Sequence, residues 1–145
     1  MNRFARGRFQ PKNPQKYVGL KTPTYRSGWE HAFMRLCDEH PNVYKWASES
    51  IRIPYRHPLT GKYTIYVPDF FIVYADKEGR KHAELVEVKP KSQTTMESAG
   101  RSMGKKKQVV INQAKWEAAT AYARQKRIRF RVVSEDQLFH QGTRK

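Results

Sequence analysis

The stretch Glu84-Leu-Val-Glu-Val-Lys-Pro-Lys91 decides how this chain is read. Leu85, Val86 and Val88 mark a β-strand that is at least partly buried, yet two acids and two lysines share the same eight positions. Burying a charge is costly unless it is paired or holds a metal. Alternate residues of a strand share a face. Leu85, Glu87 and Lys89 therefore point one way, and Glu84, Val86 and Val88 the other. Glu87 and Lys89 stand about 6–7 Å apart along one side. Glu84 faces away, as an ion-pair or solvent residue.

Upstream lies Val67-Pro-Asp-Phe-Phe71, where Asp69 is the only acid between Tyr63 and Tyr74. Pro68 cannot donate to a sheet ladder, so the sheet should open or bend there. If a hairpin brings these two segments side by side, Asp69 and Glu87 converge on one patch. Two carboxylates held together in apolar surroundings repel each other and resist full ionisation. A hard divalent cation, Mg²⁺ or Mn²⁺, relieves that repulsion. The expectation is a phosphodiester-cleaving site in which Asp69, Glu87 and the backbone carbonyl of Val88 hold the metal. Lys89 would act on the water and on charge developing at the phosphate.

Working outward, residues 28–40 form a helix with Trp29, Ala32, Phe33, Leu36 and Cys37 on one face; Ser27 is its N-cap and Pro41 stops it. Strands are expected at 43–54, at Tyr63 to Tyr74 with an interruption at Pro68, and at His82 to Lys89. Residues 90–107 read as a long polar loop, Val109 to Lys126 as a helix and Ile128 to Val133 as a last strand. Short turns make the first three strands an antiparallel meander. The second helix is a crossover that sets the last strand parallel to a neighbour. The fold class is thus α/β, a mixed sheet flanked by helices in the order αβββαβ. It occupies residues 25–145 behind an extended basic arm, residues 1–24.

The chain has 145 residues, with 29 Lys and Arg against 13 Asp and Glu, a formal charge of +16. Such an excess attracts polyanions, with nucleic acid ahead of an anionic membrane surface. No apolar run approaches a transmembrane span, and the basic N-terminus lacks the apolar core of a signal peptide. One cysteine, Cys37, excludes an internal disulfide, and no Cys/His cluster has zinc spacing. The arm carries no acid, and Pro11, Pro14 and Pro23 argue against a regular element there. It is either a solvated tail or a segment that binds DNA, a protein partner or the domain's own surface. Phosphate contacts are expected from Arg3, Arg6 and Arg8, from Lys105, Lys106 and Lys107, and from Arg127, Arg129 and Arg131.

Two compatible readings stand for Glu30. With Ser27 it has capping-box spacing, and from the same helix it can reach the metal site or its water. Glu49 is a weaker candidate for the site, against the default of a surface or structural acid. Gln113 and Lys115, on the second helix, are candidates for contact with water or phosphate, against the default of a solvated helix face. Trp116 reads as core.

Pro-Asp, then 17 residues, then Glu-x-Lys is the pattern of PD-(D/E)xK nucleases, here set on adjacent strands. Beyond it, Gly7 to Gly19, Tyr25-Arg-Ser-Gly-Trp-Glu30, Val67-Pro-Asp-Phe70, Glu87-Val-Lys-Pro-Lys91 and Asn112-Gln-Ala-Lys-Trp-Glu117 resemble the head-completion nucleases of contractile-tailed bacteriophages. That resemblance covers nearly the whole chain. The N-terminal domain of the endonuclease subunit of heteromeric bacterial transposases is similar over about residues 25–134, and the Arg-Ser-Gly-x-Glu element is similar to that of the phage junction-resolving endonuclease. The resemblance implies a restriction-endonuclease-like core with Glu30, Asp69, Glu87 and Lys89 as the active-site set. It also implies a virion protein at the head and portal vertex, assembled in the host cytoplasm. There it would process or secure packaged double-stranded DNA before the tail joins, in contact with portal, neck or other capsid proteins and no membrane. A structural head or neck protein that keeps the nuclease fold only as a scaffold is the alternative.

Overall fold

In the computed structural model, which describes residues 6–134, the basic N-terminal segment lies on the body of the protein. Strand β1 (Gly7–Arg8) pairs antiparallel with β2 (Thr24–Tyr25), and a 3-10 turn spans Pro14–Lys16 between them. Phe9 is buried, with its ring edge-on to Trp46 at 5.7 Å. Tyr17 meets the same indole at 4.7 Å, and Val18 N–H donates to the Trp46 carbonyl at 2.9 Å. The electrostatic clasp is Asp38, 1% exposed, on helix α1 (Gly28–Glu39). Its carboxylate accepts the N–H groups of Lys12 and Asn13, both at 2.9 Å. The Lys16 ammonium donates to the carbonyls of Asp38 at 2.9 Å and His40 at 3.0 Å. Of the partners the arm was expected to choose among, residues 6–24 meet the domain's own surface; Arg3 lies outside the described residues.

Helix α1 starts where the sequence predicts: the Ser27 hydroxyl accepts Glu30 N–H at 3.1 Å. The strands after it are β3 (Val43–Ser48), β4 (Ile53–Arg56), β5 (Tyr63–Tyr66), β6 (Phe70–Ala75) and β7 (Lys81–Val88). Helices α2 (Met96–Ala99) and α3 (Met103–Lys126) follow, then β8 (Arg129–Val133). The main sheet has the order β3-β6-β7-β8, antiparallel except for the parallel β7–β8 pair that α3 joins. Counted through this sheet, the order is αβββαβ, as expected.

Alternation sorts the apolar residues to two faces. Phe70, Ile72, Val86, Val88 and Val133 join Phe33, Met34 and Cys37 of α1 in one cluster. Leu85, Phe71 and Phe130 join Ala119, Trp116 and the β4–β5 residues Ile53, Tyr55 and Tyr66 in the other. Trp116 belongs to this second core, as the sequence suggests.

Two expectations need correction. The run 43–54 is not one strand, and the run 63–74, interrupted at Pro68 as expected, has its two halves in separate sheets. The chain leaves the main sheet at Glu49, whose φ of 50° is left-handed, makes the separate β4–β5 ribbon, and re-enters at Asp69. Glu49 N–H donates to the Asp69 carbonyl at 2.9 Å and closes the base of this excursion. The second correction concerns 90–107, which is not a loop. It holds a 3-10 turn (Lys91–Gln93), α2, and the first turns of α3, so Lys105, Lys106 and Lys107 sit on a helix. The Ser102 hydroxyl caps α3 by accepting Lys105 N–H at 3.1 Å, and buried Asn112 fixes it by donating to the Gln93 carbonyl at 3.1 Å. Among the described residues no helix is long and apolar enough to cross a membrane.

If Asp38 is what seats the arm, Asp38→Ala should cost about 2–4 kcal/mol, because two backbone donors lose a charged acceptor. Urea unfolding measures the loss. Trypsin cleavage at Lys12 and Lys16 should accelerate before cleavage elsewhere, and unchanged protection of those sites would rule the clasp out.

Candidate active site

The bend at Val67-Pro68-Asp69 delivers an acid to the edge of the main sheet. Pro68 is fully buried, and the Asp69 carboxylate accepts Val88 N–H at 2.8 Å. That bond ties the two halves of the motif together across 19 positions. Glu87, 5% exposed, points to the α3 side of the sheet as its strand parity requires. Its Oε1 accepts the Tyr66 hydroxyl at 2.8 Å, and its Oε2 lies 3.5 Å from Lys89 Nζ. Lys115 of α3 hangs over the Tyr66 ring at 5.7 Å. Together these side chains line a cleft of about 220 Å³, closed on its far side by Arg26, Glu30 and Glu49.

Electrostatics in the cleft is dominated by burial. Asp69 is pushed well above the usual carboxylate range, first by burial and then by the charges of Glu87 and Glu30; the Val88 N–H and Lys89 oppose the shift. Glu87 is raised by burial, with Lys89, the Tyr66 hydroxyl and Lys115 acting against it. Glu30 is also raised by burial, countered by the N–H and guanidinium of Arg26. Lys115 is lowered by burial and by Lys89, while Glu87 and Asp69 hold it up. The site is an unbalanced group of acids that two lysines only partly neutralise.

Of the residues singled out from the sequence, Glu30, Asp69, Glu87, Val88, Lys89 and Lys115 line one cleft. Glu30 is at once part of the helix cap, its carboxylate accepting Arg26 N–H at 3.2 Å. Gln113 is elsewhere, on an exposed groove of α3 beside Glu117 and Arg124. Arg6, Arg8, Lys105 and Lys107 are exposed and Lys106 half-buried. Arg131 is committed internally, its Nε 3.0 Å from Glu84 Oε1. Glu84 itself is 3% exposed and also accepts the Tyr74 hydroxyl at 2.7 Å, the ion-pair role expected for that face.

Sequence reasoning missed two cleft residues, Tyr66 and Arg26, and ranked a third, Glu49, low. Tyr66 sits in an apolar-aromatic run that reads as core, and only the fold shows its hydroxyl on Glu87. Glu49, by default a surface or structural acid, lines the cleft in an ion pair with Arg26. No local spacing marks either partner of that pair.

A divalent cation fits part of this donor set. Asp69, Glu87 and the Val88 carbonyl offer hard oxygens; burial raises both acids, and for Asp69 the charges of Glu87 and Glu30 add a repulsion that a cation would relieve. Glu30 is occupied with the Arg26 backbone. Among the described residues, no three Asp, Glu, His or Cys side chains converge closely enough to hold an ion by themselves.

The fold agrees with what comparison with known proteins shows. The family described as TnsA-like endonuclease N terminal matches residues 40–135, the stretch with the whole main sheet, the ribbon and α3, and the chain belongs to that family. The head completion nuclease of Enterobacteria phage T4 is 34% identical over 142 residues, covering 91% of this chain and 92% of that protein. The second similarity takes in most of the segment before residue 40, which the family match leaves out. The mixed α/β sheet flanked by helices is a restriction-endonuclease-like fold.

The raised acids have a thermodynamic consequence. In the folded chain Asp69 keeps its proton at pH values where the unfolded chain has lost it. The associated stability is therefore present below the ordinary carboxylate pKa of about 4 and is lost as pH rises toward the raised value. Asp69→Asn retains an oxygen for Val88 N–H and removes the charge. It should raise the melting temperature of the metal-free protein at neutral pH and flatten the fall in stability above about pH 4. Calorimetry across pH tests this; a lower melting temperature with an unchanged slope would contradict it.

Proposed function

We propose that this chain is a phage head-completion protein and a divalent-metal-dependent DNA endonuclease, which processes or secures packaged double-stranded DNA ends at the portal vertex before tail attachment. The observation that carries the reading is the convergence of Asp69, Glu87 and Lys89 through the Val88–Asp69 hydrogen bond at 2.8 Å and the Glu87–Lys89 contact at 3.5 Å. The names of the family and of the phage relative supply the reaction class and the setting.

In this reading Asp69, Glu87 and the Val88 carbonyl hold Mg²⁺ or Mn²⁺, which supplies Lewis-acid stabilisation of the phosphodiester and a more acidic water. The chain's own groups do the remaining work. Tyr66 keeps Glu87 in one orientation by donating to Oε1. Lys89 Nζ, on the cleft side of Glu87, stabilises negative charge as it grows on the phosphate oxygens. Lys115, lowered by burial and by Lys89, adds a second cation above Tyr66. Glu30 shapes the far wall and adds negative potential. DNA is drawn in by the exposed cations, Arg6, Arg8, Lys105 and Lys107 among them, in a sequence-independent and salt-sensitive way. Portal, neck or other capsid proteins are the docking partners in the virion.

The scaffold alternative is disfavoured by the cost of the site. Asp69 and Glu87 are buried with raised pKa, so they destabilise the metal-free fold, and apolar residues would serve a pure scaffold better. The test is cleavage of linear, nicked and branched duplex with Mg²⁺ and with EDTA. Lys89→Ala and Asp69→Ala should each lower cleavage by at least about a hundredfold while duplex binding survives. Parent-level cleavage by either variant would overturn the assignment.

A further inference from the structure

From Ile51 to Val67 the chain carries no acidic residue, while Arg52, Arg56, His57 and Lys62 are all basic. This is the stretch that leaves the main sheet. It folds as the β4–β5 ribbon with Pro54 opposite Ile65 and Arg56 opposite Tyr63. Residues directly opposed on antiparallel strands share a face. Ile53, Tyr55 and Tyr66 turn inward to the α3 core. The other face therefore carries Pro54, Arg56, Tyr63 and Ile65. Tyr63 is 80% exposed and Ile65 43%, and Leu59 in the turn is 54% exposed. Burial of these groups is not what the fold uses them for.

The face is continuous with the cleft. Ile65 and Val67 line the cleft itself, and Val67 with Arg52 lines the groove beside it. The ribbon is also held in shape at its tip. His57 N–H donates to the Lys62 carbonyl at 2.8 Å, and Arg56 Nε donates to the Gly61 carbonyl at 3.0 Å. Gly61, at φ 72°, makes the tight return that a side chain would strain.

We propose that the outer face of the β4–β5 ribbon is a second DNA contact, which grips the duplex on one side of the scissile phosphate; this rests on the nuclease reading above. An exposed apolar row next to cations, with no acid in the segment, is complementary to a polyanion whose grooves expose sugars and base methyl groups. A two-stranded ribbon is narrow enough to enter the B-DNA major groove, which is about 12 Å wide. Arg52, exposed where the chain enters β4, and Lys62, exposed at the ribbon's tip, neutralise phosphates, and Tyr63 and Ile65 of the outer face meet sugar and base edges. Because the ribbon runs directly into Val67-Pro68-Asp69, a duplex held there is in register with the catalytic acid.

The test uses the full chain and a fluorescent duplex of about 30 base pairs, a length that exceeds a single-module footprint, in EDTA so that no cutting occurs. The Arg52→Gln/Lys62→Gln/Tyr63→Ala variant changes only exposed side chains, and a melting temperature close to the parent's establishes that it is folded. Its affinity should fall about tenfold or more, and the slope of log K against log salt should drop by about two, one for each cation removed. Arg52→Glu alone should weaken binding further than Arg52→Gln. Hydroxyl-radical footprints should lose protection on one side of the site only. Equal affinity and slope for parent and variant would overturn the contact, even if the parent cuts DNA normally. Weakened binding of a head protein with unchanged DNA binding would overturn it in favour of a protein-docking face. A ribbon-dependent affinity in a parent that never cuts would keep this contact and sink the nuclease reading instead.

Discussion

The hydrogen bond from Val88 N–H to the Asp69 carboxylate, 2.8 Å long, is the constraint on which the rest of the site depends. Asp69 is where the chain returns from the β4–β5 excursion, and its carbonyl is simultaneously held by Glu49 N–H at 2.9 Å. One residue thus fixes the base of the ribbon, the entry to β6 and the end of β7. That bond and the Glu49 N–H contact together hold Asp69 at the junction of ribbon and sheet, beside Glu87. Pro68, buried and without an N–H, suits the bend because no ladder donor is lost there.

Strand β7 shows how environment divides two like residues. Glu84 and Glu87 are three positions apart, both almost fully buried, and both bound to a tyrosine hydroxyl. Glu84 has a full partner in the Arg131 guanidinium at 3.0 Å, contributed by the parallel neighbour β8. It is a paired acid that links two strands. Glu87 has a longer contact with Lys89 and faces Asp69 across an open cleft. Its surroundings leave negative charge uncompensated, which is costly for folding and useful for holding a cation. The opposite facing of the two residues, set by pleat parity, decides which acid is structural and which is poised for chemistry.

Much of this was legible in the sequence because it is local or periodic. Parity along Leu85–Lys89 separates the two faces of β7, Ser27 and Pro41 bound α1, and the αβββαβ order follows from turns and helix length. The unread parts share a different cause. The segment 43–54 looks like one strand, and the break of 63–74 at Pro68 is legible while the assignment of its halves to separate sheets is not; nothing in composition marks Glu49 as a left-handed residue or as the partner of the distant Asp69 carbonyl. Helix α3 begins earlier than its pattern suggests, since Gly104 disfavours a helix and the lysine run carries no apolar periodicity. The Ser102 cap and Asn112 docking compensate for them. Tyr66 was invisible as a site residue because its partner, Glu87, is 21 positions away.

The N-terminal arm presents the last contrast. The family match begins at residue 40, so the arm and all of α1 fall outside it, yet Phe9 sits in the main core and Asp38 binds Lys12, Asn13 and Lys16. An appended tail would keep its charges for a partner. Here part of the arm's positive charge is spent on α1, and two of its aromatic rings shield Trp46. Described residues of the arm that remain open to a polyanion are chiefly Arg6, Arg8 and Lys21. Lys21 lies in the groove that also holds Arg52, next to the cleft. Among the described residues, the docking of the arm on α1 thus fixes the segment that carries Lys21 into the groove beside the cleft.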